Sequence, residues 1–109
     1  MIKINAGWIV DGLIIAQPGK PVLHGGGQGG DQTIIALDSD EFIRYLSGSN
    51  DFFDGAEVTA NVRIITNKRQ FGPFGKYSGI HGYGFELNIG DFRLANDRRN
   101  KYLGPIKEV

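Results

Sequence analysis

Thr66-Asn-Lys-Arg-Gln-Phe-Gly-Pro-Phe-Gly-Lys-Tyr-Ser-Gly79 is the stretch whose reading decides the fold. It follows Ala60-Asn-Val-Arg-Ile-Ile65, where β-branched residues predict a pleated, half-buried strand. Asn67-Lys68-Arg69 then reverses the chain, because Asn tolerates the left-handed backbone and polar residues suit an exposed tip. Gln70-Phe71 starts the returning strand. Gly72-Pro73-Phe74-Gly75 is expected to stop it, since proline has no N–H for a ladder and glycine accepts positive φ. The stretch therefore reads as a hairpin whose second arm is cut short.

Working outward, 109 residues leave room for one small domain spanning 1–109, built on a single core. Seventeen glycines are about twice the usual share, which suits an all-β chain with many tight turns. Lysine plus arginine equals aspartate plus glutamate, 12 against 12, so the overall charge gives a polyanion-binding role no support. The absence of cysteine removes disulfides, thiol nucleophiles and cysteine metal sites together. The N-terminus has no apolar run of secretion-signal type, and no apolar stretch is long enough to span a bilayer. The absence of a glycosylation sequon fits a cytoplasmic or a bacterial protein alike, and a soluble single domain is the expectation.

Ile2-Lys-Ile4 and Trp8 to Ala16 read as two strands joined by a turn at Asn5-Ala6-Gly7, with Asp11-Gly12 as a bulge inside the second. Trp8 is expected to be a core or half-buried aromatic. Gln17-Pro-Gly-Lys-Pro21 is a turn. Val22-Leu23-His24 then enters Gly25-Gly-Gly-Gln-Gly-Gly30, which formally contains a dinucleotide fingerprint. The β-branched run Asp31 to Leu37 that follows is a strand rather than a helix, so the phosphate-binding βαβ unit is excluded. Two readings of the loop stay open: a plain connection, or bare backbone that approaches a ligand closely. Ser49 to Gly55 reads as a polar loop; Asp51, Asp54 and Glu57 lack calcium-loop spacing. Phe85-Glu-Leu-Asn-Ile89 alternates as a strand, Gly90-Asp91 turns, and Phe92-Arg-Leu94 returns. Ala95 to Asn100 is a loop before a last strand from Lys101, broken at Gly104-Pro105.

The catalytic inventory is thin. His24 and His81 sit among glycines without partners, and Ser39, Ser47, Ser49 and Ser78 lack a nucleophile-elbow context. The two histidines have no metal-ligand spacing. Lys68-Arg69 and Arg98-Arg99-Lys101 read as solvated hairpin tips, without the interleaved aromatics of a nucleic-acid surface. Neither enzyme nor nucleic-acid binder is expected, and no cofactor.

Thr66 to Gly75 resembles the Thr-Asn-x-x-x-(Tyr/Phe)-Gly-Pro-(Tyr/Phe)-Gly segment of jacalin-related lectins. Ile9-Val-Asp-Gly12, Gly25 to Gly30, and Glu41 to Gly48 fall in the family's order around it, and the similarity runs from Ile2 to Ile106. The resemblance implies a β-prism of three antiparallel sheets. It also decides Asp38 to Gly48, which taken alone has a helical stripe at Phe42, Ile43, Tyr45 and Leu46; the matching positions Glu41, Ile43, Leu46 and Gly48 make it a strand.

In that family, mannose- or galactose-type sugars bind without metal among an N-terminal Gly-Gly turn, a glycine loop and a C-terminal Gly-x-x-x-Asp segment. The implied sugar site here is Gly26, Gly27, Gln28 and Gly29, facing Asn96, Asp97, Asn100, Lys101 and the stacking aromatic Tyr102. Two departures stand out. The chain starts where the family's second strand starts, and Gly104 replaces the sugar-binding aspartate, for which Asn96, Asp97 and Asn100 are substitutes. A sheet lacking a strand predicts a homo-oligomer through an open edge. Two functions follow: a glycan-binding module, or a jacalin-like assembly domain that has lost its sugar.

Overall fold

The computed structural model describes residues 1–20, 22–53, 55–77, 82–88 and 107–108. Every element among them is a strand: β1 (Ile2–Ala6), β2 (Val10–Ile15), β3 (Leu23–Gly26), β4 (Asp31–Ile35), β5 (Ile43–Phe53), β6 (Ala56–Thr66), β7 (Gln70–Phe74), β8 (Tyr83–Leu87) and β9 (Lys107–Glu108). They form two antiparallel sheets, ordered β4-β1-β2-β3-β9 and β7-β6-β5-β8. These are two of the three sheets expected of a prism. The inner faces meet in a core of Ile2, Ile4, Val10, Leu13, Ile15, Leu46, Val62 and Ile64, each almost wholly removed from water. Alternate positions of β1 and β2 supply the first sheet's share, as a period of two requires.

The opening hairpin forms as read: β6 turns at residues 67–69 into β7, and the Thr66 N–H donates to the Arg69 carbonyl at 2.8 Å. The stop at Gly72-Pro73 is corrected. β7 continues to Phe74, because Val62 pairs with Phe74 and Ile64 with Phe71, leaving Gly72 and Pro73 bulged opposite Arg63 alone. Gly72 takes φ 96°, and β7 is the edge of its sheet, where a proline without an N–H is tolerated.

Three other boundaries move. β5 begins at Ile43, and 38–41 is a turn closed by the Glu41 N–H on the Asp38 carbonyl at 3.1 Å. The expected loop from Ser49 is strand as far as Phe53, because a bulge at Ser49/Asn50 keeps Asn50 to Phe53 in register with Ala56 to Thr59. β8 lies two residues earlier than its alternation suggested. Gly90 to Leu94 and the break at Gly104-Pro105 lie outside the described residues.

Glu41 locks the first turn to the hairpin. Its buried carboxylate accepts from Arg69 Nε at 3.0 Å and Nη2 at 2.5 Å, from Thr66 Oγ1 at 2.6 Å, and from the Asp38 N–H at 3.0 Å. The Arg69 guanidinium, with the lesser help of the Thr66 hydroxyl, holds the Glu41 carboxyl at a pKa of about 2. Lys68 meanwhile reaches Asp40 and Asp38. The hairpin-tip cations are thus paired rather than simply solvated.

Candidate functional site

The β1–β2 hairpin carries one residue more on its second arm. Ala6 pairs with Val10 and Asn5 with Gly12, so Asp11 is the bulged residue, as the Asp11-Gly12 pair led one to expect. A bulge turns a side chain out of the regular alternation. The glycine run then folds over this point. The Gly27 N–H donates to the Asp11 carbonyl at 2.7 Å. A methyl group added to Gly12 would stand 1.9 Å from the Gly27 carbonyl oxygen, and one on Gly26 would stand 2.2 Å from the Asp11 carbonyl oxygen. The two chain segments touch backbone to backbone, and only glycine permits it.

The Asp11 carboxylate lies under the far half of the same loop. A methyl on Gly29 would sit 3.2 Å from Asp11 Oδ1, and one on Gly30 would sit 2.8 Å from Oδ2. Partial burial raises the Asp11 pKa above its ordinary value. Among the described residues this carboxylate has no hydrogen bond and no cation, and the N–H groups of Gln28 and Gly29 have no acceptor. A strong, half-desolvated acceptor therefore sits beside free backbone donors on an exposed loop. That combination suits a ligand with several hydroxyl groups, which both accept and donate.

Gly26, Gly27, Gln28 and Gly29 all lie in this loop over Asp11, while Asn96, Asp97, Asn100, Lys101 and Tyr102 lie outside the described residues. Asp11 is the residue that the sequence reading did not place beneath this loop. Its signal was present, since a bulge at Asp-Gly was readable, but the loop crossing above it was not.

Trp8 is also corrected. It is 55% exposed at the hairpin tip rather than in the core, because the reversal occupies residues 7–9 and closes with the Gly7 N–H on the Ile9 carbonyl at 3.0 Å. Its carbonyl accepts from the Lys76 and Tyr77 N–H groups at 2.9 and 2.7 Å. The Tyr77 ring lies 5.9 Å from Trp8 and 5.2 Å from Phe53.

A second, open groove of about 640 Å³ crosses β5, β6 and β8 between Ser47, Ser49, Asn61, Arg63, Phe85 and Glu86. Part of its polar lining is already satisfied internally, the Asn61 amide donating to Ser49 Oγ at 2.7 Å. Among the described residues no group of three histidine or acidic side chains is placed to hold a metal ion, and no helix is long and apolar enough to cross a membrane.

Comparison with known proteins agrees with this architecture. The family described as the jacalin-like lectin domain matches residues 1–95. Among solved structures, wild-type Malaysian banana lectin superposes with a TM-score of 0.64 at 33% identity, over 82% of this chain and 65% of that one. A mannose-binding jacalin-related lectin from Ananas comosus gives 0.58 at 21% identity, and Calystegia sepium agglutinin 0.56 at 22%, each over the same 82% and 65%. The chain spans about two thirds or less of the length of these neighbours. The search of curated proteins gives no match. With an all-β antiparallel architecture in keeping with the β-prism, this chain belongs to the jacalin-like lectin domain family.

Proposed function

We propose that the protein binds mannose- or galactose-type glycans without a metal ion and without chemical conversion, using Asp11 as the fixed acceptor and the N–H groups of Gln28 and Gly29, in the Gly26–Gly29 loop, as donors. The observation that carries this is the unpaired Asp11 carboxylate beneath Gly29 and Gly30. Membership of a lectin family supports carbohydrate binding in general. In this proposal Asn96, Asp97, Asn100, Lys101 and Tyr102 add contacts from the C-terminal loop. A glycan array carrying mannose- and galactose-terminated structures, run with a chelator present, tests it. Retained binding to either class is expected, and an array blank under all conditions overturns the proposal.

One observation favours self-association alongside it. β4 is the edge of its sheet, pairing only with β1 among the described residues. Its Ile34 is 61% exposed, and the strand carries neither proline nor lysine to discourage pairing. A homo-oligomer through this edge is the expected state.

A further inference from the structure

We propose that Trp8, Tyr77 and Phe53 form a stacking shelf for a second sugar ring, so that the site selects a disaccharide or longer chain over a monosaccharide. This rests on the Asp11 site proposed above and extends it along the surface.

Continuity comes first. Gly30 borders the Asp11 carboxylate, and the same glycine packs on the hairpin tip, where a methyl on Gly7 would lie 3.7 Å from Gly30 Cα. Trp8 is the next residue, one Cα step of about 3.8 Å further on. A ring held at Asp11 thus has its neighbour delivered to the hairpin tip.

Rigidity comes second. An exposed tryptophan on a loose turn would lose conformational freedom on binding, whereas this one is fixed beforehand. Two N–H groups from residues 76 and 77 hold its carbonyl. The Tyr77 ring is tilted 56° to Trp8 and edge-on to Phe53 at 74°, and the Tyr77 hydroxyl donates to the Phe52 carbonyl at 2.6 Å. The β1–β2 turn, the end of β5 and the segment after β7 converge on these rings, and Trp8 at 55% and Phe53 at 38% exposure leave apolar surface in water on either side of the half-buried Tyr77. The C–H face of a pyranose is the chemistry that matches such a surface, with its hydroxyls left at the rim.

The chain has a single tryptophan, so its fluorescence reports the shelf directly. Methyl mannoside and methyl galactoside are titrated into the full chain beside mannobiose and galactobiose. For the sugar type that binds, the disaccharide is expected to bind roughly three- to tenfold more tightly, the range of one aromatic contact, and to shift the Trp8 emission. In Trp8→Ala the ratio falls to about one, in Trp8→Tyr part of it returns, and in the distant exposed Phe42→Ala it is unchanged. Equal affinity for both lengths, an unmoved emission, or a Trp8→Ala variant that keeps the ratio overturns the shelf while leaving the Asp11 site standing. Failure of all four sugars refutes the Asp11 site itself, and the shelf with it.

Discussion

Asp11 and Glu41 show how two carboxylates in one small chain take opposite roles. Glu41 is fully matched by Arg69, Thr66 and a backbone N–H, which depresses its pKa to about 2. A depressed carboxylate contributes stability that is present above its unfolded pKa and lost as pH falls through the folded one. Wild-type protein is therefore expected to weaken in urea melts between about pH 4.5 and pH 2, and Glu41→Gln to be less stable at neutral pH with that acid limb flattened. Asp11 is instead shifted upward by burial, so its ionisation opposes folding slightly and its contribution declines as pH rises through its pKa. In the proposed site the gain would lie in binding, because only the ionised form is a full acceptor. Glycan affinity is expected to fall on acidification through a pKa above the ordinary 3.8, read by calorimetry while circular dichroism still shows folded protein. Glu41 was legible in the sequence as part of a pattern, but its partner Arg69 was assigned to solvent. Pairing across 28 positions depends on how two turns dock.

At the level of elements, the hairpin from Ala60 to Phe71 was readable because its β-branched run and turn residues agree. The misplaced features share one cause. Ser49 to Phe53 is polar by composition yet strand by pairing, and Gly72-Pro73 interrupts by chemistry yet is absorbed by a bulge. Trp8 was assigned a core or half-buried place by residue type, while the turn around Gly7 put it outside. In the first two cases strand pairing overrode a local preference, and for Trp8 the turn did. The glycine loop gives a graded prediction of its own. Gly12→Ala forces a methyl into the Gly27 carbonyl at 1.9 Å and is expected to cost about 1–3 kcal/mol in chemical denaturation. Gly27→Ala meets nothing within 4 Å and is expected to stay within about 0.5 kcal/mol. Reversal of that order would show the loop does not cross Asp11 as described.

For the molecule as a whole, two sheets share one core, and Leu46 is wholly buried in it. Leu46→Ala is expected to lose about 2–5 kcal/mol, enough to threaten a domain of this size. The open β4 edge predicts a mass above the monomer's 11.9 kDa by light scattering, falling toward it when Ile34→Lys places a charge on that edge. The β-prism scaffold was visible in the stretch from Thr66 to Gly79, since its turn residues carry the family pattern. The groups of the proposed site were half visible: glycines announce a close approach but not what they approach. The bulged carboxylate beneath them is the centre of the functional account. Calorimetric titration of the best array glycan into wild type, Asp11→Asn and Asp97→Ala at neutral pH tests it most directly. Asp11→Asn is expected to lose at least about tenfold in affinity, the scale of one charge-assisted hydrogen bond, and more than Asp97→Ala does. Unchanged affinity in a folded Asp11→Asn protein would contradict it.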